Sequence, residues 1–413
     1  MRRLTVYWQQ TPDTKLRVGE LAQGSSPEIA FEWDKEFLLN SIELSPITFV
    51  KQPGVLVCPS EPFNGLPGLF YDHLPDGWGN VLLRHGLARE GIATEQLSPL
   101  DKLAYIGNDA MGALSFEPAL RTSESWAKGA IDLSVLQSET EPIITGSPSE
   151  ALGQFLSGGV SPSGARPKII AKEIGKELYI ADRTSPAPEW IIKFRADVDG
   201  PYKGKLEYLY YLMAKDAGLT LPEAKLFKAK RQYFFGAKRF DREADGSRLH
   251  MQTLSTLLNA SPTSFSVSYD LFATVTQRLT EDVRQVQAAY RICAFNILSC
   301  NQDDHTKNVA FLMDSDGRWE LAPAYDLTFS RTPYGEHKMD VDGNGKPSAE
   351  DLKEFGAKLG LTKTTVKRIL DQVSHGVSRY KYHARKLEIP KREITKIADV
   401  IDPKLKVRRA RAR

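Results

Sequence analysis

Cysteine is scarce in this chain: 413 residues contain three, Cys58, Cys293 and Cys300. Three scattered thiols cannot build a disulfide framework or supply the paired spacing of a zinc site. Long apolar runs are missing too, since no stretch approaches the roughly 18 residues of a membrane span. The opening MRRLTVYWQQ lacks the apolar core of a signal peptide. These absences lead to the expectation of a cytoplasmic protein with no membrane partner. Internal repeats and long low-complexity tracts are absent as well.

What is present suits a protein of two or three lobes with a substantial core: 41% of the residues are hydrophobic and 26% charged. The net charge of +3 hides an asymmetry. From Val377 onward thirteen Lys and Arg face four acids, which leaves residues 1–376 net negative. The final RRARAR could touch a phosphate backbone, but a solvated terminus is the simpler reading of such a run.

Residues 1–50 read as short strands (LTVYW, VGELA, EIAFEW) separated by polar turns. LPGLFYDHLPDGWGNVLLRHGLARE, 66–90, reads as a Gly- and Pro-rich loop entering a helix, and IGNDAMGALSFEP, 106–118, as a strand entered through glycines. Arg121–Ser149, rich in Ser, Thr and Glu, is the best boundary. The expected division is therefore a β-rich module over 1–120, a second lobe over 121–252 and a helical lobe over 253–413.

The run SGGVSPSGARPKII, 157–170, follows. Gly158, Gly159 and Gly164 free the backbone for tight curvature before a strand, KIIAKEI. Backbone N–H groups of Ser161, Ser163, Gly164 and Ala165, in a loop bent at Pro162, could cradle an anion, with Arg166 or Lys168 adding charge. The run is not a Walker sequence, and a plain hairpin loop is the competing reading. After a hairpin arm, EWIIKF buries Trp190 and Ile192 in alternation and places Lys193 near its end, where a kinase keeps its phosphate-binding lysine. The helix expected over 204–219 offers Glu207 in its first turn, the kind of carboxylate that orients such a lysine. KLFKAK and QYFFGAKRF continue the sheet, and backbone groups from Met251 to Leu254 are where an adenine could hydrogen-bond.

The organising stretch is NQDDHTKNVAFLMDSDGRWELAPAYD, 301–326. It follows EDVRQVQAAYRICAFNILSC, whose apolar Val283, Val286, Tyr290, Cys293, Ile297 and Leu298 keep a helical period. On that helix Cys293 and Cys300 read as core packing. Asp303 and Asn308 stand five apart, with Asp326 further on. Phosphoryl transfer needs that set: an Asp to take the hydroxyl proton, an Asn five residues later for magnesium, and a later Asp for the metal under the phosphates. Beyond it, 329–347 reads as a Gly-rich cover, and GLTKTTVKRIL as a helix pair that superficially matches a helix-turn-helix reader of DNA.

NQDDHTKN with LAPAYDL, the SPSGARPK loop, IIKF, KRFDR at 238–242, and a module containing LPDGWGN and IGNDAMGALSF resemble the HipA family across nearly the whole chain. These are bacterial serine/threonine kinase toxins of type II toxin–antitoxin systems. The resemblance implies an α+β, bilobal protein-kinase-like fold related to the phosphoinositide kinases, with a small β-rich N-terminal subdomain and a mostly helical C-terminal lobe. It implies ATP and Mg2+ as cofactors, Asp303 as catalytic base, Asn308 and Asp326 as metal ligands and Lys193 as the ATP lysine, with His305 structuring the loop between base and ligand. The family's autophosphorylated serine falls at Ser161, and the SPS pair brings Ser163 into question as well. Partners implied are a small helix-turn-helix antitoxin, operator DNA through that antitoxin, and a protein substrate such as an aminoacyl-tRNA synthetase. A DNA-binding regulator and a catalytically inactive scaffold are the alternatives.

Overall fold

The structure is a computed structural model that describes residues 2–24, 28–89, 91–94, 97–120, 129–159, 164–180, 187–243, 245–261 and 267–411. The chain divides into two compact units. Unit 1 comprises 1–201, 225–261 and 312–318, and unit 2 comprises 202–224, 262–311 and 319–413.

Unit 1 opens on strands β1 (Arg2–Gln9), β2 (Lys15–Gln23) and β3 (Ile29–Trp33), where alternation drives Leu4, Val6 and Trp8 to one face. With β4 (Val55–Val57) and β5 (Leu114–Glu117) they form an antiparallel sheet in the order β4-β3-β2-β1-β5. Phe31, Trp33, Phe49 and Phe70 cluster on its buried face. Short helices α1 (Lys35–Leu39) and α2 (Gly68–Tyr71) precede α3 (Gly77–Arg89) and α4 (Pro99–Ile106), the last closed by a Ser98/Asp101 capping box.

The segment read as a boundary holds a 13-residue helix, α5 (Leu133–Thr145), which follows β6 (Gly129–Ala130). Its Leu133, Leu136, Thr140 and Ile143 are buried, so a helical stripe underlies the polar composition. Helix α6 (Leu152–Gly159) takes in Gly158 and Gly159, which the sequence reading gave to the curved loop. A Cβ on Gly158 would lie 2.6 Å from the Ile170 carbonyl oxygen, so this glycine lets helix and strand touch instead of turning the chain.

Strands β7 (Lys168–Ile174), β8 (Glu177–Ile180), β9 (Glu189–Lys193), β10 (Ala224–Ala229) and β11 (Gln232–Lys238) join β6 in a second sheet, ordered β10-β11-β9-β7-β8-β6. Trp190, Ile192, Ile169 and Ala171 form its buried face. Unit 1 continues through β12 (His250–Thr253) and α8 (Leu254–Leu257).

Unit 2 is mostly helical: α7 (Lys203–Asp216), α9 (Tyr269–Thr280), α10 (Val283–Ser299), α11 (Ala349–Lys358), α12 (Lys363–Ser378), α13 (Tyr380–Lys386) and α14 (Lys391–Arg411). Of the apolar residues that keep the helical period of α10, Val286, Tyr290, Cys293, Ile297 and Leu298 are buried, and Val283 is exposed beside the N-cap Asp282. Cys293 and Cys300 are both buried, and burial pushes their thiols above the usual range, as core packing demands. Val366, Ile369, Leu370, Val373 and Val377 of α12 are buried, and the helix packs on α7 and α10. The helix-turn-helix-like run is therefore a core helix pair. The basic tail, read as a solvated terminus, continues as helix to Arg411. Among the described residues no helix is long and apolar enough to cross a membrane.

Candidate active site

Helix α10 ends at Cys300, a non-glycine residue in left-handed conformation (φ 58°), which turns the chain sharply into residues 301–305. A 3-10 turn, Thr306–Asn308, closes the loop and leads into β13 (Ala310–Met313). Asn308 donates from Nδ2 to the Asp303 carbonyl oxygen at 2.8 Å, and its backbone N–H bonds to the His305 carbonyl oxygen at 2.9 Å. The loop thus closes on itself, with the Asp303 residue exposed and Asn308 half-buried.

After β14 (Trp319–Leu321) the chain returns through Ala322, whose N–H bonds to the Ala310 carbonyl oxygen at 3.0 Å. Tyr325 then donates its hydroxyl to the Lys307 carbonyl oxygen at 2.6 Å, fastening the Asp326 segment to the Asp303–Asn308 loop. Asp326 is exposed and left-handed (φ 55°). Such a conformation costs a non-glycine residue and persists only where its surroundings impose it. Asn308, Asn301, Asp304, Tyr325 and Leu327 line one pocket of unit 2. Amide and carboxylate oxygens are the donors a hard cation takes. Among the described residues no three His, Cys, Asp or Glu gather into a metal cluster.

The sequence reading missed the residue that holds this loop up. Asp304 is 2% exposed, next to the exposed Asp303. Its Oδ2 accepts from the Tyr269 hydroxyl at 2.6 Å and lies 2.8 Å from His337 Nδ1, while Oδ1 accepts from the Lys338 N–H at 2.8 Å. Burial first, and then Asp304 itself, push the Tyr269 phenol well above its usual range, so it stays a donor. Asn296 extends the network, donating to the Tyr269 oxygen at 3.0 Å and accepting from Asn301 at 3.0 Å. Gln302 bonds Thr332 N–H at 2.9 Å and the Gly335 carbonyl oxygen at 2.6 Å. The adjacent aspartates thus have opposite environments, one fixed in the core and one facing outward. A DD pair ahead of a turn was the available signal. His305 presents a buried Nδ1 with no hydrogen-bond partner among the described residues.

In unit 1, Lys168 and Lys193 are direct cross-strand partners on β7 and β9, so their side chains share one face. Like charges opposite one another are unfavourable on a sheet and suit an anion-binding face. Lys168 is 4% exposed, and its ammonium lies where a Cβ on Gly164 would come within 2.4 Å. Gly164 (φ +112°) therefore cannot be replaced without moving that ammonium. Arg166 is engaged elsewhere, its guanidinium 2.9 Å from Asp199, and Ala165 lies against Gly77. Met251 lies in β12, with Gly112 pressed close to its N–H. Ser161, Pro162 and Ser163 fall outside the described residues.

Glu207 lies in unit 2, one residue further into α7 than expected because the helix starts at Lys203, which takes it just past the first turn. It is buried, with Lys203 Nζ 3.4 Å away.

The KRFDR run performs a structural task. Asp241, fully buried, accepts from Arg239 at 2.6 and 2.9 Å, from Arg242 at 2.8 Å and from the Gly112 N–H at 2.7 Å. Burial opposes its ionisation, but Arg239 and Arg242 hold its carboxyl well below the usual range. Burial, then the neighbouring Arg239, pull Arg242 down to about 9.

The HipA N-terminal domain family matches residues 5–117, and the HipA-like C-terminal domain family matches residues 160–380. Two curated relatives bear the name "putative kinase". The protein of Haemophilus influenzae is 24% identical over 243 residues, covering 50% of this chain and 69% of its own. The other, Y4mE of Sinorhizobium fredii, is 26% identical over 223 residues, covering 47% of this chain and only 51% of its own length. Among solved structures, HipA of Shewanella oneidensis, in complex with HipB and operator DNA, superposes with a TM-score of 0.68 at 19% identity, covering 97% of this chain and 96% of that one. That likeness shows the fold, an α+β kinase-like architecture in two lobes. With both its domains matched in order, this chain belongs to the HipA family.

Proposed function

We propose that the chain is an ATP-dependent serine/threonine protein kinase, the toxin of a toxin–antitoxin pair. The observation that carries this reading is the closed loop of unit 2. Asn308 ties back to the Asp303 backbone, Tyr325 ties the Asp326 segment to the same loop, and both acids are left exposed.

In the proposed reaction the Asp303 carboxylate accepts the proton of a substrate hydroxyl. The freed oxygen forms a bond to the γ-phosphorus as the bond to the bridging oxygen breaks, and ADP leaves. Magnesium held by Asn308 and Asp326 would neutralise charge on the phosphates. Lys168 and Lys193 supply positive charge to the phosphates from their shared face, and Gly164 leaves room for the Lys168 ammonium. Since such a transition state is loose, positioning and charge stabilisation account for most of the rate. Asp304, the base's buried neighbour, contributes by anchoring the loop that carries Asp303.

Autophosphorylation at Ser161, at Ser163 or at both belongs to the proposal. A phosphate there adds about −1.5 to −2 charge at neutral pH and repels the ATP phosphates. The Shewanella complex supports an antitoxin like HipB as partner, with operator DNA reached through it. The resemblance to the family supports an aminoacyl-tRNA synthetase as one class of target in the cytoplasm.

Incubation of the purified chain with ATP and magnesium, followed by intact-mass and phosphopeptide analysis, tests the reading. The expected result is added phosphate mapping to Ser161 or Ser163. No phosphate on the chain or on any protein in a cell extract would overturn it. Phosphoproteomics after induction, wild type beside Asp303→Ala, identifies the target.

A further inference from the structure

The LPDGWGN run lies about ninety residues before the Gly164–Lys168 turn, yet it touches that turn at Gly164, Ala165 and Lys168. Asp76 Oδ1 accepts from the Gly164 N–H at 2.7 Å. Trp78 donates its backbone N–H to the Gly164 carbonyl oxygen at 3.1 Å, and its buried indole Nε1–H to the Lys168 carbonyl oxygen at 3.0 Å. Between them Gly77 (φ +35°) is so close that a Cβ would lie 2.6 Å from Ala165 Cα. Both backbone groups of Gly164 are thus held by the N-terminal module, as is the carbonyl of Lys168.

Asp72, two residues before that run, reaches a second part of the unit. Asp72 accepts from the Thr253 N–H at 2.7 Å, from the Thr253 hydroxyl at 2.8 Å and from the Thr256 hydroxyl at 2.5 Å. It thereby fixes the end of β12 and the start of α8.

From these contacts we infer that Asp76 and Trp78 are positioning residues for nucleotide phosphates. They hold the Gly164–Lys168 turn in the one curvature that leaves the Lys168 ammonium beside Gly164, so the β-rich module is a working part of the nucleotide site. The inference rests on the kinase reading above. Its physical basis is preorganisation. Glycine loses more backbone freedom on ordering than any other residue, so a turn built on Gly164 and left unbraced must be ordered by the ligand at the expense of affinity. The bond from Gly164 N–H to a carboxylate is charge-assisted, so Asp76 is the stronger of the two braces.

The test uses the full chain and separates the phosphate end of the ligand from the base end. Asp76→Ala is expected to weaken MgATP and inorganic tripolyphosphate, each titrated calorimetrically, by about tenfold or more, and to change adenosine binding by less than about threefold. Asp76→Asn, which keeps an acceptor oxygen, should stay within about threefold of wild type for all three ligands. A general loss of structure would weaken adenosine and tripolyphosphate together. Trp78→Phe, which keeps the ring and removes only the indole donor, is a milder second variant with an expected few-fold effect on tripolyphosphate. In the ligand-free wild type, amide exchange by NMR should show Gly164 protected.

Tripolyphosphate affinity unchanged in Asp76→Ala and Trp78→Phe, equal weakening of all three ligands, or an unprotected Gly164 amide would each overturn the inference while leaving the kinase reading standing. Failure of wild type to bind MgATP would remove the kinase reading, and this inference with it.

Discussion

Two loops carry the proposed chemistry, and they are held by different means. The Asp303–Asn308 loop is braced within unit 2, by its own backbone and by Tyr269 and His337 around Asp304. The Gly164–Lys168 turn is braced by a distant stretch of the β-rich module, through Asp76 and Trp78. A loop that must present a base and metal ligands in fixed register gains from a buried anchor beside them. A turn that opens on Gly164 and Ala165 has little side chain there to pack and borrows its support from elsewhere. The comparison teaches that the first module is structurally committed to the lobe that follows it, a point Asp241 reinforces by gripping Gly112.

Breaking that commitment should produce the largest effect. Asp241→Ala strands Arg239 and Arg242 without their shared carboxylate, and should destabilise unit 1 by about 3–5 kcal/mol. Calorimetry, with hydrogen exchange to assign the loss to unit 1, checks this, and a melting temperature equal to wild type would show that the two segments are not energetically joined.

On the other side of the comparison, Asp304→Ala leaves the Tyr269 hydroxyl and the Lys338 N–H without an acceptor. The expected cost is about 2–3 kcal/mol in unit 2. Single-turnover transfer should also slow, with nucleotide affinity preserved, because Asp303 loses its fixed neighbour. An equal loss in nucleotide binding would place Asp304 in the wrong role.

Acidification probes unit 1 more gently. Burial first, then the neighbouring His250 charge for His73, lowers His73 to about 3, and burial lowers His250 to about 4. Both folded values lie below the ordinary 6.5, so between them the unfolded chain binds the extra protons. The contribution is fully present above about pH 6.5 and declines as pH falls toward the folded values. Stability of unit 1 should drop by at least about 1 kcal/mol per pH unit between pH 6 and 4.5. His73→Phe should flatten that slope, and an unchanged slope would assign the protons to other groups.

The smallest effect belongs to Arg166. Its guanidinium is half-exposed and paired with Asp199, so Arg166→Ala should change stability by less than about 1 kcal/mol. A large loss of tripolyphosphate affinity in that variant would show that the pair opens to meet phosphate.

The same contrast explains what could be read from the amino-acid sequence. The strand alternation of residues 2–9, the helical period before Cys300 and the core role of the two neighbouring thiols are local patterns, and the structure carries them. The spacing of Asp303, Asn308 and Asp326 is equally local, and their loops are tied together as Tyr325 shows. Asp304 was not legible because its partners lie 35 residues before and 33 after it. The brace on Gly164 spans 88 residues, which no periodicity reports. Helix α5 was hidden by Ser, Thr and Glu around its stripe and by Pro142 inside it. Glu207 was placed one residue early in its helix because nothing near Lys203 announces the helix start, whose N-cap Tyr202 makes no side-chain cap bond.

The central claim is that Asp303 acts on the hydroxyl and not on the nucleotide. Asp303→Ala, compared with wild type for phosphoryl transfer and for MgATP affinity in the same preparation, tests it most directly. The account predicts transfer reduced by about a hundredfold or more with affinity within about threefold of wild type. Transfer that persists near the wild-type rate in this variant would contradict it.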